Sequence, residues 1–145
     1  MTTAGFVHVA CPSCLAKNRV DAARVADGPK CGKCEAPLLD ACVVELDDAS
    51  FDAFVSRTSV PVLVDFWAPW CGPCRQMAPE FAKAAGNLAG HARLAKVNTD
   101  IAQALAGRYA IRSIPTLLLL KEGREAGRLS GTRSSAELER WVATA

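Results

Sequence analysis

The spacing of apolar positions changes along the chain, and the changes mark out its elements. Val60-Pro61-Val62-Leu63-Val64-Asp65-Phe66-Trp67 is almost continuously apolar, the pattern of a strand covered on both faces. Before it, Val43 to Leu46 reads as a short strand. Asp48 or Ser50 is placed to cap a helix running to about Arg57. After it, Cys71 to about Leu88 reads as a helix that Pro79 should kink. Arg93 to Asn98 follows as a strand and Ile101 to Tyr109 as a helix. Thr116 to Lys121 and Arg124 to Ser130 form a predicted hairpin around Glu122-Gly123. Ser134 and Glu137 make a capping box for a last helix ending near Ala143. Strand–helix alternation that ends in a hairpin and a helix predicts an α/β fold, a central mixed sheet flanked by helices.

The start of the chain reads differently. Up to about residue 42 there are few large apolar residues, and Asp27-Gly28-Pro29 and Ala36-Pro37 signal turns. A segment of about 40 residues rarely keeps a core without a staple such as a metal. A boundary near Leu39 to Cys42 therefore divides the chain into residues 1–42 and 43–145.

Seven cysteines are present, and six form C-x2-C pairs: Cys11 with Cys14, Cys31 with Cys34, Cys71 with Cys74. Thiolates two residues apart can bite one metal. A second such pair, after the sixteen residues between Cys14 and Cys31, completes a tetrahedral zinc site. The alternative is two labile disulfides or free thiols. His8 is read as a surface residue, because four cysteines already close the site. Cys42 is read as a small, partly buried apolar filler.

At 145 residues and 50% hydrophobic, the chain is long enough for one ordinary domain with a small addition. The formal charge is +2, with both signs interspersed. Residues 1–42 carry five basic and four acidic side chains, to which a four-thiolate zinc site would add negative charge. Nucleic acid and an anionic membrane are thus not expected as partners. Ile114 to Leu120 is the longest apolar run, too short to span a bilayer. Met1 to Ala10 lacks a charged leader and a long apolar stretch. These features predict a soluble, cytoplasmic monomer. In that reducing compartment, paired cysteines are metal ligands or catalysts rather than structural disulfides.

The third pair lies in Trp70-Cys71-Gly72-Pro73-Cys74, between the apolar strand and a helix. Cys71 would sit at the helix N-terminus, where free N–H groups and the helix dipole favour a thiolate, the form that attacks disulfides. Cys74, three residues on, shares its face and would resolve the mixed disulfide. Pro73 suits the first helical turn, and Gly72 leaves the approach to an exposed Cys71 open. Asp65, inside an apolar strand, is a candidate buried acid that exchanges a proton with Cys74. Lys96 is its candidate partner, and a strand-end surface lysine is the equal alternative. Pro115 opens a strand, where a trans bond is the ordinary expectation.

From Val43 to Ala145 these motifs together resemble the thioredoxin family. They are Val64-Asp65-Phe66-Trp67-Ala68, Trp70-Cys71-Gly72-Pro73-Cys74, Pro79, Lys96-Val97-Asn98, Ile111-Arg112-Ser113-Ile114-Pro115-Thr116, Gly123 and Gly131. The two earlier cysteine pairs extend the likeness to the bacterial thioredoxin-2 type, which carries an N-terminal zinc domain. The resemblance implies a thioredoxin fold behind a zinc-ribbon-like unit, with zinc held by Cys11, Cys14, Cys31 and Cys34 and no organic cofactor. It implies that Pro115 is cis and faces the dithiol, and that Asp65 and Lys96 form a buried pair. It implies that Trp67 and Trp70 pack beside the site, and that Gly72, Ile114 and Gly131 line a substrate groove with Trp70 and Pro73. It implies a protein-disulfide reductase acting on oxidised proteins and restored by an NADPH-dependent thioredoxin reductase. Ser113, where many relatives have glycine, and the polar Thr99 and Ser130 depart from the pattern and bear on target choice. Two other readings stand beside it. An oxidase or isomerase is disfavoured by Gly72-Pro73. A zinc-dependent protein-binding or redox-regulated module, with secondary oxidoreductase activity, would use the cysteine knuckles to dock a partner.

Overall fold

The structure, a computed structural model, describes residues 5–145. Five strands form the central sheet: β3 (Val44–Leu46), β4 (Val62–Trp67), β5 (Arg93–Asn98), β6 (Thr116–Lys121) and β7 (Arg124–Ser130). Their order is β3-β5-β4-β6-β7. β3, β5 and β4 run parallel, while β6 and β7 are antiparallel to their neighbours, so the sheet is mixed as expected. Four helices pack on it: α1 (Phe51–Ser56), α2 (Gly72–Asn87, with Pro79 inside), α3 (Gln103–Arg108) and α4 (Ser135–Thr144).

Strand alternation divides the core into two layers. Val62, Val64 and Phe66 of β4 join Val97, Leu118 and Leu120 in one layer with Phe51, Phe54 and Leu105. Leu63 joins Leu94, Leu117 and Leu119 in the other, with Met77 and Phe81 of α2 and Leu138 of α4. Both faces of β4 are covered, which is why its sequence is nearly continuously apolar. Asp65 follows the phase of Leu63 and belongs to the α2 side.

The last helix begins with the anticipated capping box, Ser134 and Glu137 each bonding the other's backbone N–H. The start of α1 departs from expectation. Ser50 stands at the N-cap position but makes no side-chain cap bond. Asp47 closes that turn, accepting the N–H groups of Ala49 and Ser50. Asp48 instead caps α3, accepting from Ala104 at 3.3 Å and Leu105 at 3.0 Å. That bond joins residues far apart in sequence, so local spacing could not show it.

The N-terminal segment contains an antiparallel hairpin that the sequence pattern did not indicate, β1 (Phe6–Ala10) with β2 (Lys17–Asp21). Val9, Cys11, Val20, Cys31, Leu38 and Leu39 form a small core of their own. Ala10, however, belongs to the large core, and Leu15 packs against it. His8 N–H donates to Ser59 Oγ at 2.8 Å, and Ser59 N–H donates back to His8 O at 2.8 Å. Ala10 N–H donates to Thr58 Oγ1 at 3.1 Å, and Arg57 Nη1 donates to Leu15 O at 2.7 Å. All these anchors precede β4, so the hairpin sits at the end of the sheet where β4 begins.

Cys42 is exposed rather than partly buried. It stands beyond the small core, its N–H donating to Asp40 Oδ1. The same carboxylate lies 3.4 Å from the buried guanidinium of Arg93 and ties this connector to β5.

Candidate active site and metal centre

The opposite end of the sheet carries the third cysteine pair. β4 ends at Trp67, and a short turn, Ala68 to Trp70, leads to Cys71, the N-cap residue of α2. Cys71 and Cys74 are joined as a disulfide with their Cα atoms 5.3 Å apart. Cys71 Sγ accepts the N–H of Cys74 at 3.2 Å, one of the orphan donors that a helix N-terminus offers. Pro73 falls in the first helical turn, where its missing N–H costs nothing.

Cys71 was expected to be exposed. It is 5% accessible, and Cys74 is 2% accessible. Ala68, Trp67 and Ile114 pack around the pair, and Cys71 Sγ lies 3.8 Å from Ile114 O. Access remains on the side of Gly72 and Pro73, both exposed. A Cβ built on Gly72 would meet nothing within 4 Å.

The Ile114–Pro115 bond is cis, as the family resemblance implied and the ordinary frequency of X–Pro bonds did not. Pro115 O accepts the N–H of Gly131 at 2.9 Å, which places Gly131 beside the proline. Gly131 has φ +87°, a conformation that favours glycine. Trp70 is 69% exposed, and its indole N–H donates to Asp100 at 3.0 Å. A shallow cavity of about 190 Å³ is lined by Trp70, Thr99, Ile111, Arg112, Ser113 and Ile114. Ile114 and Trp70 share this cavity; Gly72 and Gly131 lie outside its lining. Thr99 gives it the polar wall expected from its departure from the family pattern, and Arg112 adds a second polar group that the resemblance did not assign; Ser130 is not in the lining.

Asp65 is 5% exposed, and its Oδ1 has no hydrogen-bond partner. Burial pushes its pKa up to about 7, and the positive charge of Lys96 only partly offsets this. Lys96 is its register partner on β5, and Glu45 is the register partner of Lys96 on β3. A row Glu45–Lys96–Asp65 thus crosses three strands on one face. Lys96 faces Asp65 in the ladder but is less buried than the pair that the resemblance implied. Its side chain is 36% exposed and its Nζ lies 3.6 Å from Glu45 Oε1. The ammonium also sits 4.9 Å from the centre of the Trp67 ring. Glu45 lies at the solvated edge, where an ammonium keeps more of its hydration.

The metal-ligating candidates converge in the N-terminal unit. The sulfurs of Cys11, Cys14, Cys31 and Cys34 all lie within 4.8 Å of one another. Cys11 and Cys34 sulfurs are 3.5 Å apart, and Cys14 and Cys31 sulfurs 3.7 Å. A tetrahedron with zinc–sulfur bonds of about 2.3 Å has edges of about 3.8 Å. The four sulfurs fit that ion.

The two knuckles repeat one geometry. Cys11 N–H donates to Ala16 O and Leu15 N–H to Cys11 O, both at 2.9 Å. Cys31 N–H donates to Ala36 O and Glu35 N–H to Cys31 O, also at 2.9 Å. Leu15 and Glu35 take φ of 65° and 66°. This turn aims backbone N–H groups at the first sulfur of each pair: Ser13 and Cys14 at Cys11, Lys33 at Cys31. Such donors favour the thiolate. The Asn18 amide, followed by backbone N–H groups, draws the Cys31 pKa down to about 6.

Comparison with known proteins agrees with both halves of this geometry. The family model for Thioredoxin matches residues 42–144. A second model, Thioredoxin 2, N-terminal, a zinc ribbon, matches residues 10–36. Thioredoxin C-3 of Corynebacterium nephridii is 41% identical over 134 residues, covering 92% of each chain. The thioredoxin of Haemophilus influenzae is 39% identical over 100 residues, 69% of this chain and 94% of its own. Thioredoxin 1 of Synechococcus elongatus is 48% identical over 84 residues, 58% of this chain and 78% of its own.

Proposed function

The chain belongs to the thioredoxin family of thiol–disulfide oxidoreductases, and we propose that it reduces disulfides of oxidised proteins through Cys71 and Cys74. The observation that carries this reading is the Cys71–Cys74 disulfide at the N-terminus of α2, beside Ile114 and the open approach over Gly72. In the reduced enzyme the Cys71 thiolate attacks one sulfur of the target disulfide. A mixed disulfide forms and the other target sulfur leaves as a thiolate, which takes a proton. Cys74 then gives up its proton and attacks Cys71 Sγ. The second target sulfur is expelled and the Cys71–Cys74 disulfide closes. The target gains two electrons and two protons.

Asp65 serves as the proton acceptor for Cys74 in this reading. It lies on the α2 side of the sheet, and its pKa near 7 lets it take and return a proton at neutral pH. Lys96 tempers that pKa through its charge. Pro115 and Ile114 shape the wall that an extended target meets, with Trp70, Gly72, Pro73 and Gly131 around it. The family implies a reductase partner. An NADPH-dependent thioredoxin reductase returns two electrons to the disulfide in the cytoplasm, with the chain acting as a monomer.

Residues 1–42 form a zinc unit and residues 43–145 the oxidoreductase domain. One zinc ion held by Cys11, Cys14, Cys31 and Cys34 supplies a structural crosslink, and the chemistry of exchange stays with Cys71 and Cys74. Among the described residues, no helix is long and apolar enough to cross a membrane.

The test is insulin reduction coupled to NADPH and a thioredoxin reductase. The full chain should turn over, and Cys71→Ser should lose activity entirely. Oxidation of NADPH without insulin precipitation, or activity retained by Cys71→Ser, would reject the reading.

A further inference from the structure

Asn18 is the one side chain outside the cysteines that holds both knuckles, among the described hydrogen bonds. It stands on β2 opposite Val9. Its Nδ2 donates to Ala16 O at 3.1 Å, the carbonyl that also closes the first knuckle by accepting Cys11 N–H. The same Nδ2 lies 3.4 Å from Cys31 Sγ. Its Oδ1 accepts Gly32 N–H at 2.9 Å, inside the second knuckle. The amide orientation follows from these partners: two acceptors meet the NH2 group, and a donor meets the oxygen.

We propose that Asn18 is a positioning residue for the zinc, docking the second knuckle on the first and holding Cys31 in place as a thiolate ligand. The inference rests on the reading of the four cysteines as a zinc site. Zn²⁺ with four thiolates carries a net charge of −2, so each N–H pointed at a sulfur disperses negative charge and stabilises the loaded site. Backbone N–H groups serve the first sulfur of each pair, but they come from the same turn as that sulfur. Among the described residues, Asn18 alone reaches across. Aspartate in its place keeps the acceptor for Gly32 but turns oxygen lone pairs toward Cys31 and Ala16 O. Alanine removes all three bonds. Outer partners of metal ligands typically change metal affinity 10–100-fold when lost.

The experiment uses the full chain, Asn18→Ala and Asn18→Asp, each purified under reducing conditions. Zinc content, Zn²⁺ competition against a chromogenic chelator, and the sulfur-to-metal absorption bands of the Co²⁺-loaded proteins are measured. Asn18→Ala should weaken Zn²⁺ binding 10–100-fold and shift the Co²⁺ bands. The isosteric Asn18→Asp should weaken binding at least as much, because the bond to sulfur, not the filled volume, is what matters. Either variant binding Zn²⁺ within twofold of the parent, or an unmoved Co²⁺ spectrum in Asn18→Ala, overturns the proposal. A parent chain that holds no zinc and shows no thiolate bands with Co²⁺ overturns the zinc reading instead, whatever the variants do.

Discussion

Replacing Asp65 by asparagine should make the oxidised protein more stable at pH 8 and no more stable at pH 4. The ordinary value for this carboxyl is 3.8, and burial raises it to about 7 in the fold. Between those values the native state binds a proton that the unfolded chain has lost. Stability therefore falls as pH rises through this window, and the loss is complete above the folded value. About three pH units at 1.36 kcal/mol each amount to roughly 4 kcal/mol at pH 8. Asparagine keeps the shape and cannot ionise, so it escapes that cost. It still buries an amide where Asp65 Oδ1 has no partner, which returns about 1–3 kcal/mol. The net gain at pH 8 should thus be about 1–3 kcal/mol. Using the oxidised form keeps Cys71 and Cys74 from titrating. Urea unfolding of both proteins from pH 4 to pH 9 gives the difference curve directly. A difference that does not change between pH 4 and pH 8 would mean that Asp65 ionises alike in both states, and the reasoning would fail.

The Cys74→Ser protein should accumulate disulfide-linked partners on Cys71 when mixed with oxidised proteins, seen as bands that dithiothreitol removes, while Cys71→Ser should trap none; the reverse result would exchange the two roles. Lys96→Met should raise the Asp65 pKa further, because it removes the one favourable charge on that carboxylate; carbon-13 NMR of the Asp65 carboxyl reads it, and a fall would contradict the attraction. Ala110 takes φ 52° just after α3, with Ile111 N–H bonded to Ala106 O. Ala110→Gly should therefore stabilise the fold by about 0.5–1 kcal/mol, the relief of a left-handed alanine less the added chain entropy, measured by urea unfolding.

Parts of the architecture written in local sequence were legible, and parts set by distant contacts were not. The strands Arg93–Asn98, Thr116–Lys121 and Arg124–Ser130 fall where their patterns placed them, because each carries its own alternation or turn signal. The cysteine pairs were legible for the same reason, since the chemistry needs only a two-residue spacer. The β1–β2 hairpin was not. Its strands mix exposed and buried positions irregularly, and it is held by its pairing, its knuckles and the end of α1. Asp48 capping α3, Lys96 leaning to Glu45 and Asn18 bridging two knuckles all join residues remote in sequence or turned by competition between partners. Cys71 being buried follows from Ile114, forty-three positions away.

The two cysteine centres occupy opposite ends of one sheet, and this limits how one can act on the other. Cys71 follows the last residue of β4, whereas Thr58 and Ser59, which hold the N-terminal hairpin, precede its first. The groove beside the hairpin, lined by His8, Lys17, Arg57 and Glu122 among others, reaches the β6–β7 turn. The cavity beside the dithiol lies where β6 begins, at Ile114. Six residues of β4 separate these ends, about 20 Å at strand rise. The knuckles therefore lie at the other end of the sheet from the cavity beside Trp70 and Ile114. What they share with the oxidoreductase domain is packing: Ala10 inside its large core, Leu15 against it, and Arg57 bonded to Leu15 O at the tip of the first knuckle. Leu15 keeps its left-handed conformation at the turn that presents Cys11 and Cys14. The N-terminal unit thus meets the larger fold at the end of α1 and, through Asp40 and Arg93, at the start of β5, both at the end of the sheet away from Cys71.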